Sequence, residues 1–187
     1  MSSYLNLIGS ILIGGLVFLM LNRFHTSINQ TSQEKTLAAN TISNAAAIVR
    51  LIEFDFNRMG LGVSSTTPII RLADSSRITF LSDIDANGNV DSIKYVLSIP
   101  DSARHTPNPR DRILYRIMNT QSQKDAALGV TRFRIRYFDI LGNITTNVNQ
   151  MRTMEITLNL ESIVPYDNRY ATFSWQTKIS PPNLKRF

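Results

Sequence analysis

The N-terminal third of the sequence contains the pattern that most constrains this chain, because an uncharged apolar run continues without a proline into an amphipathic segment. Leu5 to Leu21 contain no Lys, Arg, Asp or Glu. Tyr4 to Phe24 supply roughly the 20 residues that a helix needs to cross about 30 Å of hydrocarbon. Residues 1–25 therefore predict an apolar helical segment suited to a bilayer or to the core of a filament. The side chains expected to face lipid or neighbouring helices are Leu5, Leu7, Ile8, Ile11, Leu12, Ile13, Leu16, Val17, Phe18, Leu19 and Leu21.

The opening run lacks the organisation of a secretory signal peptide. Such a signal has a basic n-region, a short apolar core and a small-residue cleavage site. Here no charged side chain precedes the run, which ends in Asn22-Arg23-Phe24-His25 with no A-x-A sequence ahead of it. We therefore expect a membrane anchor or a filament helix rather than a cleaved signal.

The segment after the apolar run predicts that the same helix continues. Thr26 to Met59 contain neither proline nor glycine, and apolar residues recur there at alternating steps of four and three, which is typical of an amphipathic helix. Gly60 and Gly62 follow as a predicted stop. Residues 26–62 are therefore expected to pack one apolar stripe on a folded domain. The stripe consists of Ala38, Ile42, Ala45, Val49, Ile52, Phe56 and Met59.

Beyond Gly62 the apolar pattern changes from the helical period to alternation, which is typical of strands. Most junctions between these segments are short and turn-like, with hairpins expected at Asn87-Gly88, Leu141-Gly142-Asn143 and Pro165–Asn168. Residues 63–187 therefore predict an antiparallel β-rich head, and the fold class is α+β. The strand candidates are "PIIRL", "RITFL", "SIKYVLSI", "RILYRIMN", "VTRFRIRYFDI", "MRTMEITLNLESIV" and "YATFSWQTKI".

One strand candidate carries a row of arginines. Arg132, Arg134 and Arg136 share one face of "TRFRIRYF", about 7 Å apart along the strand. Such a row could bind the phosphates of a polyanion, in keeping with the formal charge of +6. It is more typical of an exposed face whose arginines pair with acidic neighbours such as Glu155 and Glu161, which is the interpretation we favour.

The sequence "DIDANGNVDSIK" resembles a calcium-binding loop. Asp83, Asp85, Asn87 and Asp91 match oxygen-ligand positions, and glycine occupies the sixth place. The twelfth place, where a bidentate glutamate is expected, holds Lys94. The same residues also make an Asn-Gly hairpin without any ion, so we predict no metal and keep calcium as the alternative.

The composition argues against an enzyme. The chain contains no cysteine and two histidines. No segment pairs carboxylates, cradles phosphate with glycines or places a nucleophile beside a base. The prediction is a non-enzymatic protein without a cofactor.

The order of these elements resembles the minor pilins and minor pseudopilins of type IV pilus and type II secretion systems. The likeness rests on a long helix ending "LIEFDFNRMGLG", followed by "ITFLSDIDANGNVDSIKYVL", "LYRIMN" and "LGVTRFRIRYFDILGN". It implies a bacterial inner-membrane subunit with an extracytoplasmic head. The helix would then pack with copies of itself or with other pilin-like subunits in a cell-surface or periplasmic filament.

The N-terminus differs from the pattern of that family. No basic leader or prepilin cleavage motif is present, and the first acidic residue is Glu34. A second function therefore stays open, in which the chain is a monomeric, membrane-tethered, extracytoplasmic domain. Its arginine row would bind DNA or an acidic surface polymer.

Overall fold

The computed structural model describes residues 2–119 and 125–186, and its first element is one long helix, α1, spanning Ser2–Asn57. The helix ends just before the predicted glycine stop. Gly60 has a φ of +80°, and its N–H donates to the carbonyl of Leu81 at 2.9 Å. The chain leaves the helix there because glycine adopts this left-handed conformation without a Cβ clash.

Seven antiparallel strands form one sheet in which every strand pairs with its neighbours in the sequence. The α+β fold class and all seven predicted strands are confirmed. Two short 3-10 helices, Pro100–Ala103 and Pro182–Arg186, lie outside the sheet. The strands are β1 (Ile70–Ala73), β2 (Arg77–Ser82), β3 (Asp91–Leu97), β4 (Arg112–Met118), β5 (Asp125–Phe138), β6 (Thr153–Glu161) and β7 (Thr172–Ile179).

The chain divides into two compact units, Met1–Leu37 and Ala38–Phe187. The first contains the N-terminal part of α1. The second contains the remainder of α1 and the whole sheet, and it holds the hydrophobic core. In that core the ring of Phe56 lies 5.5 Å from the ring of Phe80 and 5.6 Å from the ring of Tyr95, measured between centroids.

Strand β5 contains a β-bulge at Gly129. Gly129 has a φ of +82°, and its N–H donates to Oδ1 of the buried Asp111 at 2.7 Å instead of joining the regular ladder. Gly129 and Val130 are consecutive buried residues, but residues 126, 128, 132, 134 and 136 are all exposed, so the alternation is the same before and after the bulge. The row Arg132, Arg134 and Arg136 faces outward, and the side chains between them are buried.

Candidate functional site

The apolar segment of α1 exposes its side chains around the whole helix. Leu7, Ile8, Ile11, Leu12, Ile13, Leu16, Val17, Phe18, Leu19 and Leu21 are each between 50% and 66% exposed. The side chain of Leu5 lies outside the described residues. Ser10 donates its hydroxyl to the carbonyl of Asn6 at 2.7 Å, so this polar group is satisfied within the helix. Within the described part of the chain, one helix, Asn6–Asn57, is long and apolar enough to cross a membrane.

The C-terminal part of α1 packs against the sheet along a face that differs slightly from the predicted stripe. Ala45, Ile52, Phe56 and Met59 are fully buried, while Ala38 and Val49 are half-buried. Ile42 departs from the prediction, because it is 54% exposed.

The inward position near the start of this face belongs to Thr41, which is only 6% exposed. The centre of the buried face lies close to the direction of Thr41. Because successive helical residues are rotated by about 100°, this leaves Ile42 roughly 80° to one side of its centre.

A buried polar network joins α1 to two strands. Nε and Nη2 of Arg116 in β4 donate to Oδ2 and Oδ1 of Asp55 at 2.6 and 3.1 Å, which makes a bidentate ion pair. The hydroxyl of Tyr95 in β3 donates to Oδ2 of Asp55 at 2.6 Å. Burial raises the pKa of Tyr95 well above its ordinary value, and the neighbouring Asp55 carboxylate adds to this effect.

The sequence analysis did not single out this network. Two features of the sequence could have indicated it: Asp55 interrupts the apolar stripe of the helix, and Arg116 lies in an apolar strand. Neither signal identifies its partner, because Asp55 and Arg116 are separated by 61 positions.

The acidic loop between β2 and β3 brings together three of the four predicted calcium ligands. Carboxylate oxygens of Asp83, Asp85 and Asp91 all lie within 4.8 Å of one another. Their oxygens also accept protein donors: Oδ2 of Asp83 accepts the N–H of Gly88 at 3.0 Å, and Oδ1 of Asp91 accepts the side-chain amide of Asn119 at 2.8 Å.

Asn87, the fourth predicted ligand, donates its side-chain amide to Oδ2 of Asp85 at 2.8 Å. Oxygen donors of this kind suit a hard cation such as Ca²⁺. They equally form a hydrogen-bonded hairpin, so the calcium alternative stays a prediction.

The outward arginines of β5 have different surroundings. Arg136 forms an ion pair with Glu155 of β6, and Nζ of Lys178 lies 3.9 Å from Oε2 of the same carboxylate. Among the described residues, no carboxylate lies within ion-pair distance of Arg132 or Arg134. The predicted partner Glu161 pairs instead with Arg110 at 3.0 Å. The row is therefore neutralised at one end and unpaired at the other.

The connection between β5 and β6 presents apolar side chains that the sequence analysis did not single out. Ile140 and Leu141 are each 83% exposed. Oδ1 of Asp139 accepts the N–H groups of Leu141 and Asn143 at 2.9 and 2.8 Å, and hydrogen bonding from Asn143 lowers the pKa of this carboxyl. The turn is thus fixed by its own hydrogen bonds while its aliphatic tip remains open to solvent.

In comparisons with protein-family models, curated proteins and solved structures, none matches this chain.

Proposed function

We propose that this chain is a pilin-like structural subunit of an extracellular or periplasmic filament, held in the inner membrane before assembly. The observation that carries the proposal is a single helix, α1, whose N-terminal part is apolar on all sides while its C-terminal part packs on an antiparallel sheet. This combination is compatible with a pilin-like fold.

The energetics of the apolar segment support an assembled or membrane-bound state. Fully burying one large apolar side chain stabilises it by about 1.5–3 kcal/mol relative to water. Eleven such side chains between Leu7 and Leu21 are at least half exposed in the isolated chain. Lipid before assembly, and neighbouring helices afterwards, would remove that surface from water.

The buried network of Asp55, Tyr95 and Arg116, which lies in the head, also supports this proposal. Its bidentate geometry specifies one rotation and one height of the helix on the sheet. A subunit whose helix packs in a filament needs a head in a reproducible orientation, and this network supplies one within the second compact unit.

The test is negative-stain electron microscopy of material sheared from expressing cells, together with intact-mass spectrometry of the recovered protein. We expect filaments that contain this chain, and the mass identifies its first residue. The substitution Leu12→Arg should abolish these filaments. An arginine at the centre of a helix raises the free energy of inserting that helix into a membrane by about 2.5–3.5 kcal/mol.

The matched control is Ser27→Arg, which adds the same charge to the same helix outside the apolar run, and it should retain filaments. A chain found only as a monomer in the membrane fraction, without filaments, would contradict the proposal.

The alternative function is a monomeric, membrane-tethered binding domain for DNA or an acidic polymer. The observation that favours it is that Arg132 and Arg134 have no carboxylate at ion-pair distance among residues 2–119 and 125–186. Replacing Arg132, Arg134 and Arg136 with glutamine should abolish polyanion binding under this alternative, and should leave filaments intact under the proposed function.

A further inference from the structure

A groove on the sheet gathers arginines from two neighbouring parts of the chain. Its volume is about 410 Å³, within the range of about 300–1,000 Å³ that is typical of ligand pockets. It lies where the segment leading into β4 meets β5 and β6. The residues that matter for its chemistry are Arg110, Arg112, Thr131, Arg132, Asn159 and Glu161.

The groove is electropositive because its carboxylate is already engaged. Oε2 of Glu161 accepts Nε of Arg110 at 3.1 Å, Nη2 of Arg110 at 3.0 Å and the side-chain amide of Asn108 at 2.9 Å. Within the described residues, Arg112 and Arg132 have no carboxylate at ion-pair distance. Two guanidinium groups therefore remain available in a groove that holds three.

Buried polar groups hold the rim of this groove in place. Asn108 is 1% exposed, and its Oδ1 accepts the backbone N–H of Arg110 at 3.0 Å. The guanidinium of Arg110 also lies 5.3 Å from the centroid of the Tyr170 ring. Asp111 is 1% exposed and bonds to the bulge at Gly129. These contacts position Arg110 before any ligand binds, and Arg132 lies on the exposed face of β5.

We propose that this groove binds a phosphate group. A guanidinium presents a planar fork of donors that matches phosphate or carboxylate oxygens. A carboxylate offers two coplanar oxygens, which one fork already satisfies, whereas the tetrahedral arrangement of oxygens around a phosphorus atom can meet forks arriving from different directions. Arg110, Arg112 and Arg132 approach from two strands and a connecting segment, and this arrangement fits phosphate better.

This site differs from the arginine row that the sequence indicated. Arg132 belongs to both, but Arg136 is neutralised by Glu155, and Arg134 does not line the groove. The proposal does not depend on filament assembly, since every residue involved lies in the second compact unit. The phosphate could belong to a free oligophosphate or to a phosphodiester strand crossing the groove.

The experiment is isothermal titration of the full-length chain in an uncharged detergent with inorganic tripolyphosphate and, separately, with a short thymidylate strand. We expect at least one of these probes to bind, and its affinity to fall as salt rises from about 50 to about 200 mM because the contacts are ionic. Binding of tripolyphosphate alone identifies a small soluble ligand, and binding of the strand identifies a polymer. Either result supports phosphate recognition.

The variants Arg112→Gln and Arg132→Gln should each lower the affinity by about tenfold or more, because each removes a charge-assisted hydrogen bond. Arg134→Gln is the matched control, since it removes the same charge from an unpaired, exposed residue of the same strand that does not line the groove. It should lower the affinity by less than about threefold, as a purely long-range charge is screened.

Three results would overturn the proposal. The first is the absence of binding by both probes at the lower salt concentration. The second is an equal loss of affinity in Arg134→Gln and Arg132→Gln, which would indicate binding along the arginine row or the general field of the basic surface instead of the groove. The third is equally tight binding of citrate, which would remove the preference for phosphate over carboxylate.

Discussion

The two parts of α1 both carry large apolar side chains, and yet these side chains have different surroundings. In the first compact unit, Phe18 is 65% exposed and no part of the candidate membrane window is buried. In the second, Phe56 is 0% exposed and contacts the rings of Phe80 and Tyr95. An apolar helix therefore becomes the core of a domain only where another element covers it.

The polar side chains of the two parts differ in the same way. The hydroxyls of Ser10, Thr26 and Thr31 donate to carbonyls one turn earlier in the same helix. Asp55, by contrast, bonds to Tyr95 and Arg116 on two strands. These hydroxyls of the first part are therefore satisfied within the helix, whereas Asp55 in the second part depends on the sheet for its partners.

The largest expected effect comes from truncating equivalent phenylalanines in the two parts. Phe56→Ala should lower the free energy of unfolding of the head by about 4 kcal/mol, because it leaves a cavity in the core. Phe18→Ala should change it by less than about 0.5 kcal/mol. Urea unfolding followed by the fluorescence of Trp175, the single tryptophan, measures both. Equal losses would show that the two parts of the helix do not differ as described.

The next effect concerns the buried network. Asp55→Asn should lower the free energy of unfolding by about 3 kcal/mol, because removing the charge leaves Arg116 without its buried carboxylate. Glu53→Gln, a half-buried residue of the same helix, should cost less than about 0.5 kcal/mol. The same urea titration measures both variants. A loss of less than about 0.5 kcal/mol for Asp55→Asn would mean that apolar packing alone holds the helix on the sheet.

A smaller effect should appear at alkaline pH. Burial raises the pKa of Tyr95 and of Tyr137 well above the ordinary value near 10. Their contribution is therefore fully present below about pH 10 and is lost as the pH rises through the folded-state pKa values. By about pH 11 the loss should reach about 1.4 kcal/mol for each tyrosine.

Urea titrations of the head at about pH 8 and about pH 11 measure this difference. The variants Tyr95→Phe and Tyr137→Phe should each abolish their share of it. An alkaline loss that persists in the double variant would assign the effect to other groups.

The smallest effect on the head is expected from Gly14→Ala combined with Gly15→Ala. A Cβ at either position meets nothing within 4 Å, and alanine favours a helix by about 1 kcal/mol per residue in water. The free energy of unfolding reported by Trp175 should stay within about 0.5 kcal/mol of the original. A larger change would show that the apolar part of the helix is energetically coupled to the head.

Much of the fold could be predicted from local sequence patterns. Alternation located all seven strands, and the turn signals at Asn87-Gly88 and Pro165–Asn168 lie in connections between consecutive antiparallel strands. The second turn is a tight hairpin in which Asp167 and Asn168 both have positive φ, a conformation that asparagine and aspartate tolerate. These features depend on a few adjacent residues, and for that reason one sequence suffices to predict them.

The candidate sites could be predicted only in part from the sequence. The arginine face of β5 was predicted from its alternation, but pairing of Arg136 with Glu155, and of Arg110 with Glu161, depends on the register of β6. The groove containing Arg112 and Arg132 lies where the pairing of β4 with β5 shifts in register, next to the bulge at Gly129. A single glycine in a strand is a weak signal, since it does not reveal which partner accepts the freed N–H group.

The sequence by itself determined the element types, namely an apolar helix continuing into an amphipathic one and seven alternating strands, because periodicity is a local property of the chain. Tertiary structure alone decided that Thr41 rather than Ile42 faces the core. It also decided that Asp55 meets Arg116 across 61 positions, and that three arginines line one groove. These outcomes depend on the rotation of the helix and on strand register, which arise from the simultaneous packing of residues distant in sequence.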